Sequence, residues 1–502
     1  MASLHARPAS PEAPAAPWRP PGLLRALFWG ALAPLLVALV WGCGGSEGGS
    51  DGGLDAALDA ALDAGPPPDA RPAPAPLRQW VDPRIGSGGV GFGYGACSPA
   101  AQTPYGMVRP GPNTAMPEGP AAGHHFSGYH ADDSLLEGFG QLRSHGMGAV
   151  DYGVLAVMPT DAITPERTNK LGYRSAFTQS TEIASPGYYA VTLDDTGIRA
   201  EISATDHVGV HRFTFPPGSP QVLLLDASHA LTTVQILDAS VQIDAAAQEI
   251  HGSVLFDGAY SGRRGGMRAY YVARFDRPFQ DQGVWDAGAL LGAETSRTGT
   301  EVGAYVHLDP AGGESVQLAI GISWTDLDHA RANLDAEMPI PDLDAARAAA
   351  EDEWEGLLSR IEISARTERE FTIFYTALYH SLIMPSLASD VDGSYRGLDR
   401  AVHVASGFSY YTDFSLWDTY RTLHPLLTLV YPELQRDFLK SLIAMAGDGG
   451  YMPRWPLGYG YSGGMVGESA TIVFADSVAR GLDGFDLRRS RDGAGPEQAR
   501  PR

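Results

Sequence analysis

Two stretches concentrate side chains that can do chemistry. One is Phe414 to Glu433, FSLWDTYRTLHPLLTLVYPE; the other is Gly447 to Glu468, GDGGYMPRWPLGYGYSGGMVGE. Aromatic rings, carboxylates, guanidinium groups and glycines crowd together in both. That mixture suits a polyhydroxylated ligand, whose apolar faces stack on rings and whose hydroxyls need fixed polar partners. The candidate ligand contacts are Trp417, Asp418, Arg421, Arg454 and Trp455. Each also has a structural reading. Asp418 sits where a helix starts and can instead satisfy free backbone N–H groups. Trp417 can stack on a ligand or fill a core. Arg421 follows Asp418 by three residues, close enough on a helix to pair with it rather than with a ligand. Arg454 and Trp455 lie in a Gly- and Pro-rich loop, where ligand contacts concentrate when a rigid scaffold holds the loop.

Other residues draw attention and are read more plainly. Glu468, ahead of an apolar run, places charge at a helix start. Asp390 and Asp392 in Ser-Asp-Val-Asp-Gly lack the later ligands of an EF-hand loop and read as a turn in which Asp caps the backbone. Of the adjacent His124 and His125, at most one can face a ligand. No histidine pair has the helical spacing of a zinc site. Cys97 has glycine-rich neighbours and no evident base, so it reads as a packed thiol. The run Gly86 to Gly95 lacks the Lys-Ser/Thr ending of a phosphate loop and reads as tight turns opening a β domain.

The elements that position these groups change type along the chain. Up to about Asp326 the pattern is β: Gly153 to Met158, Tyr188 to Leu193, His207 to Phe215, Gln221 to Asp226, Met267 to Phe275, Val302 to Leu308 and Ser315 to Ile322 are short or alternating apolar runs separated by turn residues. Many short strands without intervening helices predict an antiparallel sandwich. The period then becomes helical. Asp342 to Ile361 reads as a charged helix; Phe371, Phe374, Tyr375, Leu378, Tyr379, Leu382 and Ile383 share one helical face; Pro432 opens a helix that buries Leu434, Phe438 and Leu442; and a last helix covers Ser469 to Arg480. Helices joined by Gly- and aromatic-rich loops predict a helical second domain.

The 502 residues carry a formal net charge of −23, which argues against a nucleic-acid partner and favours a neutral or cationic ligand. Arg7, Arg19 and Arg25 precede the apolar run Ala26 to Trp41, too short for a comfortable membrane span. Val40-Trp41-Gly42-Cys43 resembles a bacterial lipobox, which predicts lipidation of Cys43, a membrane contact through that anchor, and a place in the bacterial cell envelope. Residues 44–78, with the repeat LDAALDAALDAG and a Pro/Ala-rich run, read as a disordered linker. With Cys43 so used, Cys97 is the remaining cysteine of two, so no internal disulfide is expected.

The order of motifs resembles glycoside hydrolase family 92, the calcium-dependent exo-acting α-mannosidases. The matching blocks begin at Val81-Asp82-Pro83-Arg84-Ile85-Gly86 and include Thr103 to Val108, Phe126-Ser127-Gly128-Tyr129-His130, Asp151-Tyr152-Gly153, Ala377 to Asp399, FSLWDTYRTLHPLL and GGYMPRWPL, ending at Phe485-Asp486. The resemblance implies an N-terminal antiparallel β-sandwich followed by an (α/α)6 barrel, here incomplete, with the site between them. The implied boundaries are a signal peptide over 1–43, the linker 44–78, a sandwich over 79–330, a linker helix over 331–366, the first part of the barrel over 367–486 and an irregular tail over 487–502. The implied reaction is inverting hydrolysis of terminal α-mannose, α-1,2 linked, from oligosaccharides or glycoprotein glycans. One carboxylic acid protonates the leaving oxygen while a carboxylate activates water on the opposite face. Calcium is the implied cofactor, with ligands not assignable from this sequence. The family's acid Glu and base Asp lie in blocks that do not occur here, so no catalytic residue is carried over. Of two histidines common near Ser144-His145-Gly146, only His145 is present. The alternative readings are a non-catalytic mannoside-binding lipoprotein and an inactive fragment.

Overall fold

The computed structural model describes residues 69–89, 96–116 and 125–486. The leader, Cys43, the linker to residue 68, Val90 to Gly95, His124 and the tail after Asp486 lie outside the described residues. A β-rich region comes first. Its strands are β1 (Gly111–Ala115), β2 (Leu135–Gly140), β3 (Ala156–Thr160), β4 (Ile183–Ser185), β5 (Tyr188–Thr192), β6 (Arg199–Ala204), β7 (Val208–Thr214), β8 (Gln221–Asp226), β9 (Gln235–Asp244), β10 (Glu249–Asp257), β11 (Met267–Phe275), β12 (Phe279–Asp286), β13 (Ala289–Leu291), β14 (Ser296–Gly299), β15 (Val302–Leu308) and β16 (Ser315–Ser323). They form two open antiparallel sheets. One runs β13-β12-β15-β8-β3-β2-β1, with the short strand Ser175–Ala176 also on β2; the other runs β14-β9-β10-β11-β16-β7-β6-β5-β4.

Side-chain alternation explains the layering. Phe139, Val157, Leu224 and Val306 of the first sheet share one buried core with Ile202, Phe213, Val254 and Ile320 of the second. Strands with one buried face on each of two sheets are stable only when those faces meet. The outer face of the second sheet is partly covered by α1 (Leu327–Glu337) and α2 (Leu343–Leu358), through Ala330, Leu334, Leu343 and Ala346 packed on Val208, Val210, Val272 and Ala319. The segment 331–366, read as one linker helix, thus holds the end of α1 and all of α2. Asp342 caps α2 by accepting from the Ala345 N–H at 3.0 Å. Trp354 of α2 is fully buried and donates to the Gln102 carbonyl at 2.8 Å, fastening the helix to the β-rich region.

The helical region follows. It contains α3 (Glu368–His380), α4 (Leu416–Thr419), α5 (Leu423–Val430), α6 (Pro432–Gly449) and α7 (Ser469–Ala479). Thr367 and Glu370 form a capping box at the start of α3, fixing where it begins. The helix ends at His380, so Leu382 and Ile383 are buried in the following turn rather than on its face. Pro432 stands in the first turn of α6 and its buried face includes Phe438 and Leu442, while Leu434 is only half-buried. Gln435 of α6 donates to Ser477 of α7 at 3.2 Å, and His424 of α5 contacts Gln435 at 2.9 Å, so three helices share a buried polar seam.

Candidate functional site

A cavity of about 250 Å³ opens where loops of the β-rich region meet the helical region. Cys97 and the Ser144–Met147 turn line it from one side; His380, Asp413, Phe414, Asp418, His424 and Trp455 line it from the other. The volume suits one sugar ring rather than a long chain.

The wall is set by a short ladder. β17 (Ser386–Leu387) pairs with β18 (Tyr411–Thr412), and the chain then turns at Asp413 with φ of 63°, a left-handed conformation costly for a non-glycine residue. Three donors hold that turn. Tyr152 O–H reaches Asp413 Oδ1 at 2.9 Å, the Gly458 N–H reaches it at 2.8 Å, and Ser386 O–H donates to Oδ2. Ser386 Oγ in turn accepts from the buried Arg109 at 3.0 Å, and Arg109 also donates to the Ile383 carbonyl at 3.0 Å. Burial pushes the Asp413 carboxyl upward, against the pull of Ser386, Gly458 and Arg109. Asp413 is therefore an occupied structural acceptor. Tyr152 lies 261 residues from it in sequence, Ser386 27 and Gly458 45, which is why no local pattern singles Asp413 out.

Asp418 stands on α4 at the mouth. Its carboxylate accepts from Ser415 O–H, and no hydrogen bond to a helix N–H accompanies it among the described residues. The capping alternative is thus not what the structure adopts. Arg421 does not pair with Asp418 either: its Nε donates to Tyr420 Oη at 2.8 Å. Trp455 is 6 % exposed, stands edge-on to Tyr260 at 4.4 Å, and lines the cavity; Trp417 is 40 % exposed and does not line it. Arg454 donates to Tyr461 Oη at 2.7 Å, also away from the lining. The structure therefore brings Asp418 and Trp455 together and leaves Trp417, Arg421 and Arg454 outside the cavity.

Three histidines that the sequence did not group complete the lining. His145 Nδ1 accepts from the Ser98 N–H at 3.3 Å, which puts the ring proton on Nε2, a buried atom without a partner among the described residues. Burial, then the charges of Arg109 and Arg143, hold His145 far below the usual imidazole range. Burial also lowers His380, whose Nε2 is likewise buried and unpartnered, and takes His424 down to about 4. All three rings are neutral at pH 7. They offer hydrogen bonds rather than charge, which fits hydroxyl groups better than an anion. Burial raises the Cys97 thiol to about 11, so it is protonated at neutral pH and is no nucleophile.

Away from the cavity, Asp392 accepts from the Ser394 N–H at 2.8 Å, as a turn residue should. Asp390 differs: it is buried and accepts from Ser323 at 2.9 Å and Asn333 at 2.7 Å, joining α1 to the sheet. Glu468 precedes α7 without capping it through its side chain.

A model of the glycosyl hydrolase family 92 N-terminal domain matches residues 80–323, and one of the family's catalytic domain matches residues 329–493. The chain belongs to glycosyl hydrolase family 92. A family 92 α-mannosidase from Bacteroides thetaiotaomicron superposes with a TM-score of 0.76 at 29 % identity, over 83 % of this chain and 56 % of that one. The same enzyme in complex with mannoimidazole gives 0.76 at 28 %, over 83 % and 55 %. A family 92 inverting mannosidase from Bacteroides thetaiotaomicron VPI-5482 gives 0.73 at 25 %, over 83 % and 54 %. A protein of Arthroderma benhamiae described as an uncharacterized secreted glycosidase is 23 % identical over 61 % of this chain and 41 % of its own length. The chain thus spans about half the length of these family 92 relatives. Within it the β-rich region matches the family's N-terminal domain and the helical region falls in the part matched by its catalytic domain.

Calcium takes six to eight oxygen ligands. Among the described residues no group of three or more His, Cys, Asp or Glu side chains is placed to hold a metal ion. Asp413 already accepts three hydrogen bonds. The described donor set does not fit a calcium cage. Nor, among the described residues, is any helix long and apolar enough to cross a membrane.

Proposed function

We propose that the cavity receives the terminal α-mannose residue, α-1,2 linked, of an oligosaccharide or glycoprotein glycan. The observation that carries this reading is the composition of one small cavity: an open carboxylate (Asp418), an indole wall (Trp455) and neutral imidazoles, two with unpartnered buried nitrogens, all suited to hydroxyls. The mannoimidazole complex of a family 92 relative supports the choice of mannose. Asp418 accepts from ring hydroxyls, Trp455 packs on an apolar face, and His145 donates from Nε2. Hydrolysis with inversion is the reaction of the family reading, and one relative is an inverting mannosidase. It needs two carboxyl groups flanking the bond, roughly 6.5–9.5 Å apart. The carboxylates lining the cavity are Asp413, which already accepts three hydrogen bonds, and Asp418, which accepts from Ser415, so recognition of the sugar is the role this lining supports. Calcium assistance belongs to the same reading, but no step here passes through that ion. We also read α3 onward as the first part of an (α/α)6 barrel, and Cys43 as the lipid anchor of an envelope protein.

The test is to incubate the full chain with α-1,2-mannobiose and follow the anomeric protons by NMR. No free mannose beyond the no-protein control is expected. Appearance of β-mannose ahead of its α anomer would show inverting hydrolysis and return the catalytic role to this chain.

A further inference from the structure

A larger recess lies on the outer face of the second sheet. α1 and α2 cover that face over β5, β7, β11 and β16 and reach the start of β10 through Arg331 and Glu249, but leave β9, β14 and the rest of β10 open. The result is a groove of about 580 Å³, walled at one end by Leu327 where α1 begins. It shares no lining residue with the cavity described above.

Register shows what floors it. Thr298 of β14 faces Ser240 of β9, Ser240 faces Ser253 of β10, and Ser253 faces Tyr270 of β11. The next row sets Gln242 beside His251. Ala239, Val241 and Ile243 of β9 point into the core, so strand parity turns Ser240 and Gln242 outward. A merely solvated sheet face usually carries long charged side chains. This floor is short hydroxyls, an amide, an imidazole and a phenol. The guanidinium groups around it are each already paired: Arg297 with Asp286 at 2.8 and 2.6 Å, Arg268 with Asp238 at 2.7 Å while also donating to Ser253 Oγ at 2.8 Å, and Arg331 with Glu249. His251 Nδ1 is buried without a partner among the described residues, and burial followed by the nearby Arg331 charge lowers the ring's pKa, keeping it neutral. A groove with neutral donors and acceptors, a half-buried aromatic ring and no unpaired cation does not select an anion; it selects hydroxyl groups.

We propose that this groove is a second carbohydrate-binding site, taking a segment of neutral polysaccharide across Tyr270, with Gln242, His251 and the serines bonding its hydroxyls. The idea rests on the lining alone and does not require that the first cavity bind mannose.

Affinity electrophoresis of the full chain, in native gels cast with α-mannan or with dextran, tests it. Retardation by at least one polymer is expected. Tyr270→Ala and His251→Ala should each weaken that retardation roughly tenfold, the scale of a lost stacking or hydrogen-bonding partner. Thr298→Arg, on an exposed edge strand, should block the groove without disturbing the fold. Trp417→Ala, at an exposed position that lines neither recess, should leave retardation unchanged. Migration unaffected by both polymers would overturn the proposal. So would retardation that survives all three groove variants, or that Asp418→Asn abolishes while they do not.

Discussion

The two halves of the molecule solve their packing differently. In the β-rich region, two sheets bury each other's faces and α1 and α2 seal part of the outside. In the helical region several large apolar side chains stay exposed, among them Leu429 of α5 and Ile472 and Val478 of α7. Its cavity-forming loops are held by groups reaching across from the β-rich region, Arg109 and Tyr152 at the Asp413 turn, while Gln102 fastens α2 through Trp354. The site is thus built by helices and loops but fixed by the sheets. Substitutions at the crossing points should weigh more than substitutions on exposed helical faces.

The largest effect is expected at Trp354. Replacing it by Ala empties a fully buried site and strands the Gln102 carbonyl, at a cost of roughly 3–5 kcal/mol in urea unfolding. Ile472→Ala, on the exposed face of α7, should cost within about 0.5 kcal/mol. Equal costs would erase the contrast between the halves.

Next comes Asp413→Ala. It leaves Tyr152, Ser386 and Gly458 without their shared acceptor and Arg109 without its compensating charge. A loss of about 3 kcal/mol is expected. Sugar binding should weaken as well, because the wall of the cavity is set by this turn.

A third crossing point titrates. His207 of the β-rich region donates from Nε2 to the Ser389 carbonyl at 2.8 Å and pairs through Nδ1 with Glu337 of α1. Burial pulls its pKa down, but the bond and charge of Glu337 and the Ser389 carbonyl outweigh this and lift it from 6.5 to about 9. A raised folded-state pKa means stabilisation that is complete below about 6.5 and lost as pH rises through about 9. Burial also opposes ionisation of Glu337, yet His207 and Thr205 leave its pKa lowered, so its share is lost only toward acid. The melting temperature should therefore fall between pH 6.5 and pH 9.5, and His207→Gln should flatten that fall. An unchanged slope in the variant would remove this pair as a source of pH dependence.

The smallest contrast lies between two tryptophans. Trp455→Ala should weaken mannobiose binding by roughly tenfold or more, whereas Trp417→Ala should change it by less than about twofold. The reverse ranking would move the binding site out of the cavity.

Much of this organisation is written locally. Strands β8, β11 and β15 coincide with apolar runs visible in the sequence, and α2, α3, α6 and α7 follow their spacing and caps. The expected strand at Gly153 begins later, at Ala156, because Tyr152, Gly153 and Leu155 all adopt positive φ before it. β1 and β2 escaped because GPNTA and LLEGFG contain Gly and Pro and do not alternate. β9 did show an alternation, through Ala239, Val241 and Ile243, that could have revealed it. The helix α1 was missed because its buried positions, Ala330, Asn333 and Leu334, give only a narrow apolar stripe. The site was legible only as a neighbourhood. Asp418 and Trp455 were recognisable from their motifs, but Asp413, His145, His380 and His424 converge through contacts that no local pattern encodes.

The most direct measurement is isothermal titration of α-1,2-mannobiose into the full chain and into Asp418→Asn, at pH 7. Saturable binding by the parent chain, weakened at least about tenfold by the substitution, is the expected result, since a carboxylate accepting from sugar hydroxyls contributes on the order of 1.5–3 kcal/mol. No binding, or equal binding by both proteins, would contradict the assignment of this cavity as the mannoside site.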